Sequence, residues 1–200
     1  MIQLLLCYNT PKILEKFMKK TLLILALGLS TSLFSATCKY NADSNTLQWT
    51  AFKTPAKVGV KGTFDNITLN SQPSSSQNEL LLSSNVHIVT ADVNSNNEGR
   101  DAKLVKSFFH VQGVKAIDAK VLKVNGKTAD VEISMNGTKK VVPMSLTSTT
   151  ESMKLNGTID LGDFKMLPSL EAITKACYEL HKGKTWQDVD LEFTINTNCK

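Results

Sequence analysis

Most of the residue types that could do chemistry in this chain are grouped in the stretch NEGRDAKLVKSFFHV, from Asn97 to Val111. It contains Arg100, the only arginine among 23 basic residues, beside Asp101 and shortly before His110. An acid and a histidine can act as a general acid and base, and an arginine can bind an anion. The stretch therefore has three interpretations: a catalytic site, an ion pair in a bend, or the mouth of a binding site. A hydrolase is the least favoured, because no nucleophile accompanies Asp101 and His110.

Other polar residues give little support to catalysis or metal binding. The histidines of the chain are His87, His110 and His181. None stands at a metal-ligand spacing from another or from a cysteine. The carboxylate pairs Asp160 with Asp163 and Asp188 with Asp190 fit a solvated face better than acid–base work. We expect no enzyme activity, no metal and no cofactor.

Alternating apolar and polar residues predict antiparallel strands after residue 37. The clearest segments are KTADVEISMNG at residues 127–137 and DVDLEFTIN at residues 188–196. Asn125-Gly126 and Asn136-Gly137 supply the positive φ angles of tight hairpin turns. They predict a meander over residues 117–124, 127–135 and 138–146. Earlier strands are predicted over 46–52, 58–64 and 86–93, with a polar loop at 70–79.

Two details of the predicted strands stay open. Pro143 has no N–H group to give to a ladder, which indicates either a bulge or an unpaired position. Asn156-Gly157 lies inside an apolar series, so it fits a kinked strand as well as a turn.

A single helix is predicted over residues 168–181, starting with Pro168 and stopped by Gly183. Its apolar face repeats at spacings of three and four: Leu170, Ile173, Cys177 and Leu180. Seven or eight antiparallel strands with one helix fit a closed barrel or a sandwich.

The inward face of such a sheet either fills a core or lines a binding cavity. The candidates are Trp49, Val58, Val60, Phe64, Ala129, Val131, Ile133, Met135, Val142, Met144, Leu146 and Phe193. An eight-stranded barrel has an interior that side chains fill or that one small ligand occupies. Apolar residues there would select an apolar ligand.

The amino-terminal segment predicts export. Lys19 and Lys20 precede an apolar run from Leu22 to Phe34 and then small residues, which is the layout of a cleaved secretory signal. We assign residues 1–36 to the signal, with 1–17 as an upstream extension if translation starts at Met18, and residues 37–200 to one domain. Without residues 1–36 the chain has 19 basic and 17 acidic residues, with lysines scattered along it. Nucleic-acid binding has no support.

The exported part holds three cysteines, Cys38, Cys177 and Cys199. Thiols tend to pair in an oxidising compartment. Cys38 precedes the first strand and Cys199 follows the last, and a barrel would pair these strands. We predict a Cys38–Cys199 disulfide and a buried free thiol at Cys177.

Four segments, in order, resemble the YceI-like family. They are VGVKGTFDNI from Val58, EGRDAKLVKSFF from Glu98, VEISMNGTKKVVPMSL from Val131, and INTNCK from Ile195. The resemblance covers nearly all of residues 37–200. It departs from the family pattern at Asn45-Thr46, where a histidine-serine pair is usual, and in the late helix.

The resemblance implies an all-β fold: an eight-stranded antiparallel lipocalin-like barrel with a helix near the C-terminus. It implies a periplasmic protein that binds, carries or sequesters a polyisoprenoid, an isoprenoid quinone or a fatty-acyl amide. By position, Phe64, Phe108 and Phe109 would lie in or near the cavity, and Arg100 and Asp101 in a bend at its mouth. The alternative is an envelope scaffold with a filled barrel and no lipid. Transient membrane contact and a homodimer stay open.

Overall fold

The computed structural model of the protein describes residues 37–41 and 45–200. The export signal predicted at residues 1–36 lies outside them. The described chain is mostly antiparallel β-sheet. Its strands are β1 (Cys38–Tyr40), β2 (Thr46–Lys53), β3 (Val58–Phe64), β4 (Ile67–Asn70), β5 (Asn85–Val89), β6 (Val93–Asn94), β7 (Ala116–Asn125), β8 (Thr128–Met135), β9 (Thr138–Ser148), β10 (Ser152–Asp160) and β11 (Thr185–Cys199). Its α-helices are α1 (Gln77–Leu82), α2 (Glu98–Leu104), α3 (Leu167–Ala176) and α4 (Tyr178–His181).

One curled sheet contains all the described strands. Hydrogen bonds join them in the order β4-β5-β7-β8-β9-β10-β11-β2-β3-β6, with β1 paired to β11. β3 ends at Phe64 and β4 begins at Ile67, although the two lie near opposite ends of this path. A 3₁₀ turn, Thr90–Asp92, likewise joins β5 to β6. Because these short links connect the two ends, the sheet curls into a barrel-like form around the core.

The prediction of eight strands is wrong, because the described residues form eleven. The strand predicted over residues 86–93 is broken by the turn Thr90–Asp92. There the Thr90 hydroxyl donates to the Val114 carbonyl at 2.7 Å. This side-chain hydrogen bond competes with the backbone hydrogen bonds that a continuous strand would make here. The short β1 and β4 were not predicted.

The prediction of a single helix is also wrong. α1 begins inside the stretch predicted as a loop, where the Ser76 hydroxyl accepts from the Glu79 N–H at 3.2 Å. α2 begins after Asn97, whose side chain accepts from the Arg100 N–H at 2.8 Å. Both contacts are N-caps, which satisfy donors at a helix start. α2 continues through a π-helical turn, Val105–Phe109, into a 3₁₀ turn.

The late helix divides in two at Cys177, which has φ −122° and ψ 25°. Ile173 and Cys177 are buried, as the apolar pattern predicts. Leu180, expected on the same face, lies beyond the break and is 63% exposed.

The predicted hairpins form, with one shift. Asn136 (φ 52°) and Gly137 (φ 67°) make the tight turn between β8 and β9. In the preceding hairpin Asn125 instead pairs with Thr128, so Gly126 and the following lysine form the turn.

The two open details of the strands are resolved by the register. Pro143 stays in register with Asp130 without a bulge, and the β9–β10 ladder ends at Ser145. Pro143 therefore lies outside the ladder to β10. β10 runs straight through Asn156-Gly157, with no turn.

The end of the sheet that holds Cys38 and Cys199, called the disulfide end below, is closed by a covalent bond. Cys38 and Cys199 form a disulfide, while Cys177 is a buried free thiol. α1 covers this end, since Gln77 Nε2 donates to Thr197 Oγ1 at 2.8 Å. The Tyr40 hydroxyl also donates to the Leu80 carbonyl.

The opposite end, called the helical end below, is covered by α2, the π-helical turn and α3. Gln112 Nε2 donates to the Lys165 carbonyl at 2.9 Å, and Gln112 Oε1 accepts from the Ser169 N–H and hydroxyl. In the part of the chain that the structure describes, no helix is long and apolar enough to span a membrane.

Candidate functional site

An internal cavity of about 110 Å³ lies in the core of the curled sheet. Strands β2, β3, β5, β7, β8, β9, β10 and β11 all contribute to its wall, together with α1. The lining residues are Leu47, Trp49, Phe64, Leu81, Ser84, Val86, Ile88, Ile117, Ala119, Lys120, Val121, Val131, Ile133, Met135, Met144, Leu155, Ile159, Leu191 and Phe193. Residues on every second position of a strand share one face, so most of these strands present two or three apolar side chains to the cavity.

The wall of the cavity is apolar, and its two polar members are engaged elsewhere. The Ser84 hydroxyl donates to the Leu80 carbonyl at 2.7 Å and contacts the Tyr40 hydroxyl. Lys120 Nζ lies 3.4 Å from Glu132 on the outer face. Burial raises the pKa of Tyr40 above its ordinary value, and the hydrogen bond with Ser84 opposes this. The lining that the structure describes therefore offers no charge to a ligand.

Two glycines determine where large lining side chains can lie. A Cβ at Gly62 would be 2.1 Å from Trp49 Cζ2, and one at Gly157 would be 2.7 Å from Met144 Cγ. The Trp49 indole N–H also donates to the Thr63 carbonyl at 3.2 Å. The indole and the thioether thus lie close against neighbouring backbone. A larger residue at either glycine would displace them.

The structure brings together seven of the residues that the sequence predicted to line a cavity. They are Trp49, Phe64, Val131, Ile133, Met135, Met144 and Phe193. Val142 is buried in the same core but is not part of the wall, and Val60 is half-buried against it.

Phe108 and Phe109 lie at the helical end, outside the cavity wall. The Phe109 ring centroid is 6.4 Å from that of Phe64, and the Phe108 ring meets Phe109 edge-on at 5.0 Å. Phe64 itself lines the cavity. Phe109 therefore packs against a residue of the wall, and Phe108 packs against Phe109; neither borders the cavity itself.

Arg100 and Asp101 lie in the first turn of α2, where a bend between strands was expected. The Asp101 carboxylate accepts from the Ser95 N–H at 2.9 Å and from the Ser95 hydroxyl. Within residues 37–41 and 45–200, the Arg100 guanidinium makes no hydrogen bond or ion pair. An ion pair of Arg100, one of the three interpretations of this stretch, is therefore not formed among these residues. The Asp101 carboxylate anchors the segment instead, because it reaches back to the preceding strand end.

Sequence reasoning missed twelve of the nineteen lining residues. The residues not predicted include Leu47, Leu81, Val86, Ile88, Ile117, Ala119, Val121, Leu155, Ile159 and Leu191. Most continue the same period-two rows, so alternation could have found them on β5, β7 and β10. Leu81 comes from the helix inside the predicted loop and had no such signal.

Most of the polar residues considered for catalysis have structural partners on the outside of the sheet. Asp160 accepts from the Gly162 N–H and from Gln187, both at 2.7 Å. His87 Nδ1 lies 2.7 Å from Asp118. His110 is exposed in the 3₁₀ turn. Among the described residues no group of three or more His, Cys, Asp or Glu side chains could hold a metal.

Solved structures with this fold come from several bacteria. A polyisoprenoid binding domain from Saccharophagus degradans implicated in plant cell wall breakdown is 11% identical, with a TM-score of 0.58, and the match covers 83% of this chain and 99% of that chain. BcnA from Burkholderia cenocepacia is 10% identical, with a TM-score of 0.54 and coverage of 80% and 99%. A mutant Campylobacter jejuni YceI protein with a monobromobimane guest is 20% identical, with a TM-score of 0.50 and coverage of 72% and 86%. At these identities the likeness shows the fold alone.

Family membership rests on the sequence. Among curated proteins none matches the chain. The YceI-like domain matches residues 39–197, which is nearly all of the described chain. The chain therefore belongs to the YceI-like family.

Proposed function

We propose that this protein is exported to the periplasm and binds one long apolar lipid in its internal cavity, to carry or sequester it. The observation that carries the proposal is the wall itself: eight strands and one helix present apolar side chains to one internal space. A wall without charge selects a ligand by burial of hydrocarbon. The proposed classes are a polyisoprenoid, an isoprenoid quinone and a fatty-acyl amide, and the role includes no catalytic step.

The likeness to a polyisoprenoid binding domain supports the ligand class. That name belongs to the Saccharophagus degradans protein, which shares the fold at 11% identity. The lining supports the same class independently, because an unbranched or isoprenoid chain needs no charged anchor. Each buried methylene contributes about 0.8 kcal/mol, so roughly ten contribute about 8 kcal/mol. This corresponds to micromolar affinity before the cost of ordering the chain.

The size of the cavity limits how much of a lipid fits without rearrangement. An apolar cavity of about 150 Å³ holds one benzene ring. The 110 Å³ here accommodates a shorter piece than a whole polyisoprenoid. Met135 and Met144 line the wall, and methionine side chains adapt readily. Lipid binding therefore requires these side chains to move and widen the cavity.

The alternative function is an envelope scaffold whose barrel is filled and holds no lipid. The same small volume favours it, because small movements of the lining side chains would fill a cavity of 110 Å³. The two functions differ in what the purified protein contains. The scaffold predicts a copurifying polypeptide and an empty organic extract.

Export is supported by the predicted signal and by the cysteine chemistry. Disulfides persist in oxidising compartments such as the periplasm. The Cys38–Cys199 bond joins the first and last described strands. Amino-terminal sequencing of the protein recovered from a bacterial periplasm tests this part, with cleavage expected near Ala36.

Mass spectrometry of an organic extract tests the proposed ligand. Protein purified without detergent should release a single class of chain lipid at close to one molecule per protein. A denatured sample of another exported protein, purified in the same way, controls for carried-over membrane lipid. A lipid-free extract from folded protein would contradict the proposal and favour the scaffold.

A further inference from the structure

We infer that a second binding surface, separate from the cavity, docks this protein on an anionic phospholipid bilayer. This surface, called the Trp186 surface, lies where the β2–β3 turn meets α4 and the start of β11. Its members are Phe52, Lys57, Tyr178, Leu180, Lys184 and Trp186. None of them lines the cavity.

Backbone and indole hydrogen bonds hold the surface together. The Thr54 N–H donates to the Lys184 carbonyl at 2.9 Å. The Trp186 indole N–H donates back to the Thr54 carbonyl, also at 2.9 Å. The turn and the start of β11 therefore form one fixed platform, which costs little ordering when it binds.

Aromatic rings and ammonium groups are interleaved on this platform. Lys57 Nζ lies 5.0 Å from the centre of the Phe52 ring and 5.1 Å from that of Trp186. Lys184 Nζ lies 4.7 Å from the Trp186 ring. Tryptophan and tyrosine favour the headgroup region of a bilayer, and lysine stems can bury their methylenes there. This pairing of groups suits a membrane interface.

α4 adds exposed apolar side chains to the platform. Leu180 is 63% exposed and Tyr178 is 60% exposed, and these are the largest exposures among the large hydrophobic residues described. Tyr178 packs over Gly183, where a Cβ would come within 3.0 Å of its ring. Both side chains follow the break at Cys177 and are exposed to solvent. Projecting residues of this kind insert among lipid headgroups.

The charge around the surface is positive. Within the described residues, Lys53, Lys103, Lys182 and Lys184 form no ion pair with a carboxylate. The Lys57 charge is offset by Asp188 at 2.7 Å, and Glu179 is an exposed carboxylate on α4. Each lysine near an anionic bilayer adds to the attraction. This complementarity is what selects an anionic lipid surface as the occupant.

The surroundings of His181 show that two of these lysines lie close to α4. Burial lowers the pKa of His181, and the nearby positive charges of Lys53 and Lys103 lower it further. Lysines from β2 and α2 therefore gather beside α4, although they are far apart in the sequence.

Vesicle cosedimentation tests the inference. The purified protein should bind vesicles of phosphatidylglycerol mixed with phosphatidylcholine and should bind phosphatidylcholine vesicles much more weakly. The double variant Lys182→Gln/Lys184→Gln should weaken binding about tenfold or more. The matched control Lys123→Gln/Lys127→Gln removes the same charge from an exposed hairpin and should bind like the wild type. Both variants keep residues 1–36 unchanged, so any contribution from that segment cancels.

A second readout guards against a folding defect. Circular dichroism must show the same melting temperature for both double variants.

Vesicles should also shift the tryptophan emission of the wild type to the blue, and Trp186→Phe should abolish this shift. Leu180→Ser should weaken binding, whereas Leu122→Ser, on the distant β7 bulge, should not.

Several outcomes would overturn the inference. They are equal binding to charged and neutral vesicles, equal loss in the two double variants, or self-association through this surface without vesicle binding. The last result would make a second copy of the chain the occupant. Lipid in the organic extract is measured separately, so failure here leaves the cavity proposal standing.

Discussion

The disulfide end and the helical end of the curled sheet are closed by different forces. At the first, a covalent bond joins β1 to β11, and Gln77 fastens α1 across the strands. At the second, no covalent link joins the described elements, and closure depends on packed rings and the hydrogen bonds of Gln112. The helical end can therefore open while every covalent bond stays intact. Regions held in this way are the ones that open locally in native proteins.

The largest expected effect comes from breaking the disulfide end. Cys38→Ser/Cys199→Ser removes a cross-link across 161 residues of sequence. Constraint of the unfolded chain by a loop of this length contributes about 5 kcal/mol to the free energy of unfolding. Urea unfolding should show a loss of this order. Cys177→Ala, which removes a buried free thiol, is the control. An equal loss of unfolding free energy in this variant would contradict stabilisation through constraint of the unfolded chain.

The next largest effect comes from the packing of the helical end. Phe109 is buried between Phe64 and Phe108, so Phe109→Ala should lower the free energy of unfolding by about 3–5 kcal/mol. Phe108 is only half-buried, and Phe108→Ala should cost clearly less. Denaturant titration of both variants measures the difference. If Phe108→Ala proved the more damaging, the closure of this end would rest on contacts other than those described.

A smaller effect tests the hydrogen bonds that join α3 to the 3₁₀ turn. Gln112→Ala leaves the fully buried N–H and hydroxyl of Ser169 without their acceptor. An unsatisfied buried group costs about 1–3 kcal/mol. Hydrogen exchange should become faster in α3 and stay unchanged in α1. Gln187→Ala, which loses an exposed bond to Asp160, should leave exchange in both helices as in the wild type.

The smallest effect is a pH dependence at the helical end. Because burial and the charges of Lys53 and Lys103 lower the pKa of His181, the unfolded chain takes up a proton there first. The stability linked to this group is complete above pH 6.5 and is lost as the pH falls through the lowered pKa. The melting temperature should fall more below pH 6.5 in the wild type than in His181→Asn. Parallel curves for the two proteins would contradict the assignment.

Local sequence patterns predicted the sheet well where a single local property, such as a turn sequence or strand alternation, determines the structure. Asn136-Gly137 can adopt two positive φ angles, and the hairpin forms there with the predicted register. The side chains of Val131, Ile133 and Met135 face inward. Successive side chains of a strand point to opposite faces, so once the charged row faces water the apolar row must face the core.

The strand breaks and short helices escaped sequence reasoning for a physical reason. Thr90 and Asp101 are ordinary residues in the sequence, and only the tertiary structure brings each to its partner. For α2 a local signal was present but not used: the capping residue Asn97 and the apolar spacing of Leu104 and Phe108 could have predicted a helix.

Periodicity could place residues inside the sheet but could not separate packed core from cavity wall. Val142 and Met144 lie on one face of β9, yet only Met144 borders the empty space. The difference depends on the space that neighbouring residues such as Gly157 leave free. The alternation of apolar and polar residues does not show this space, because glycine has no side chain.

Filling the cavity is the most direct test of lipid binding. Ala119 lines the wall, while Ala116, on the same strand, pairs with exposed Val89 and faces outward. Ala119→Leu and Ala116→Leu therefore add the same atoms inside and outside the cavity. The lipid recovered per folded protein should fall at least severalfold in Ala119→Leu and stay at the wild-type level in Ala116→Leu. Equal lipid content in all three proteins would contradict binding in the cavity.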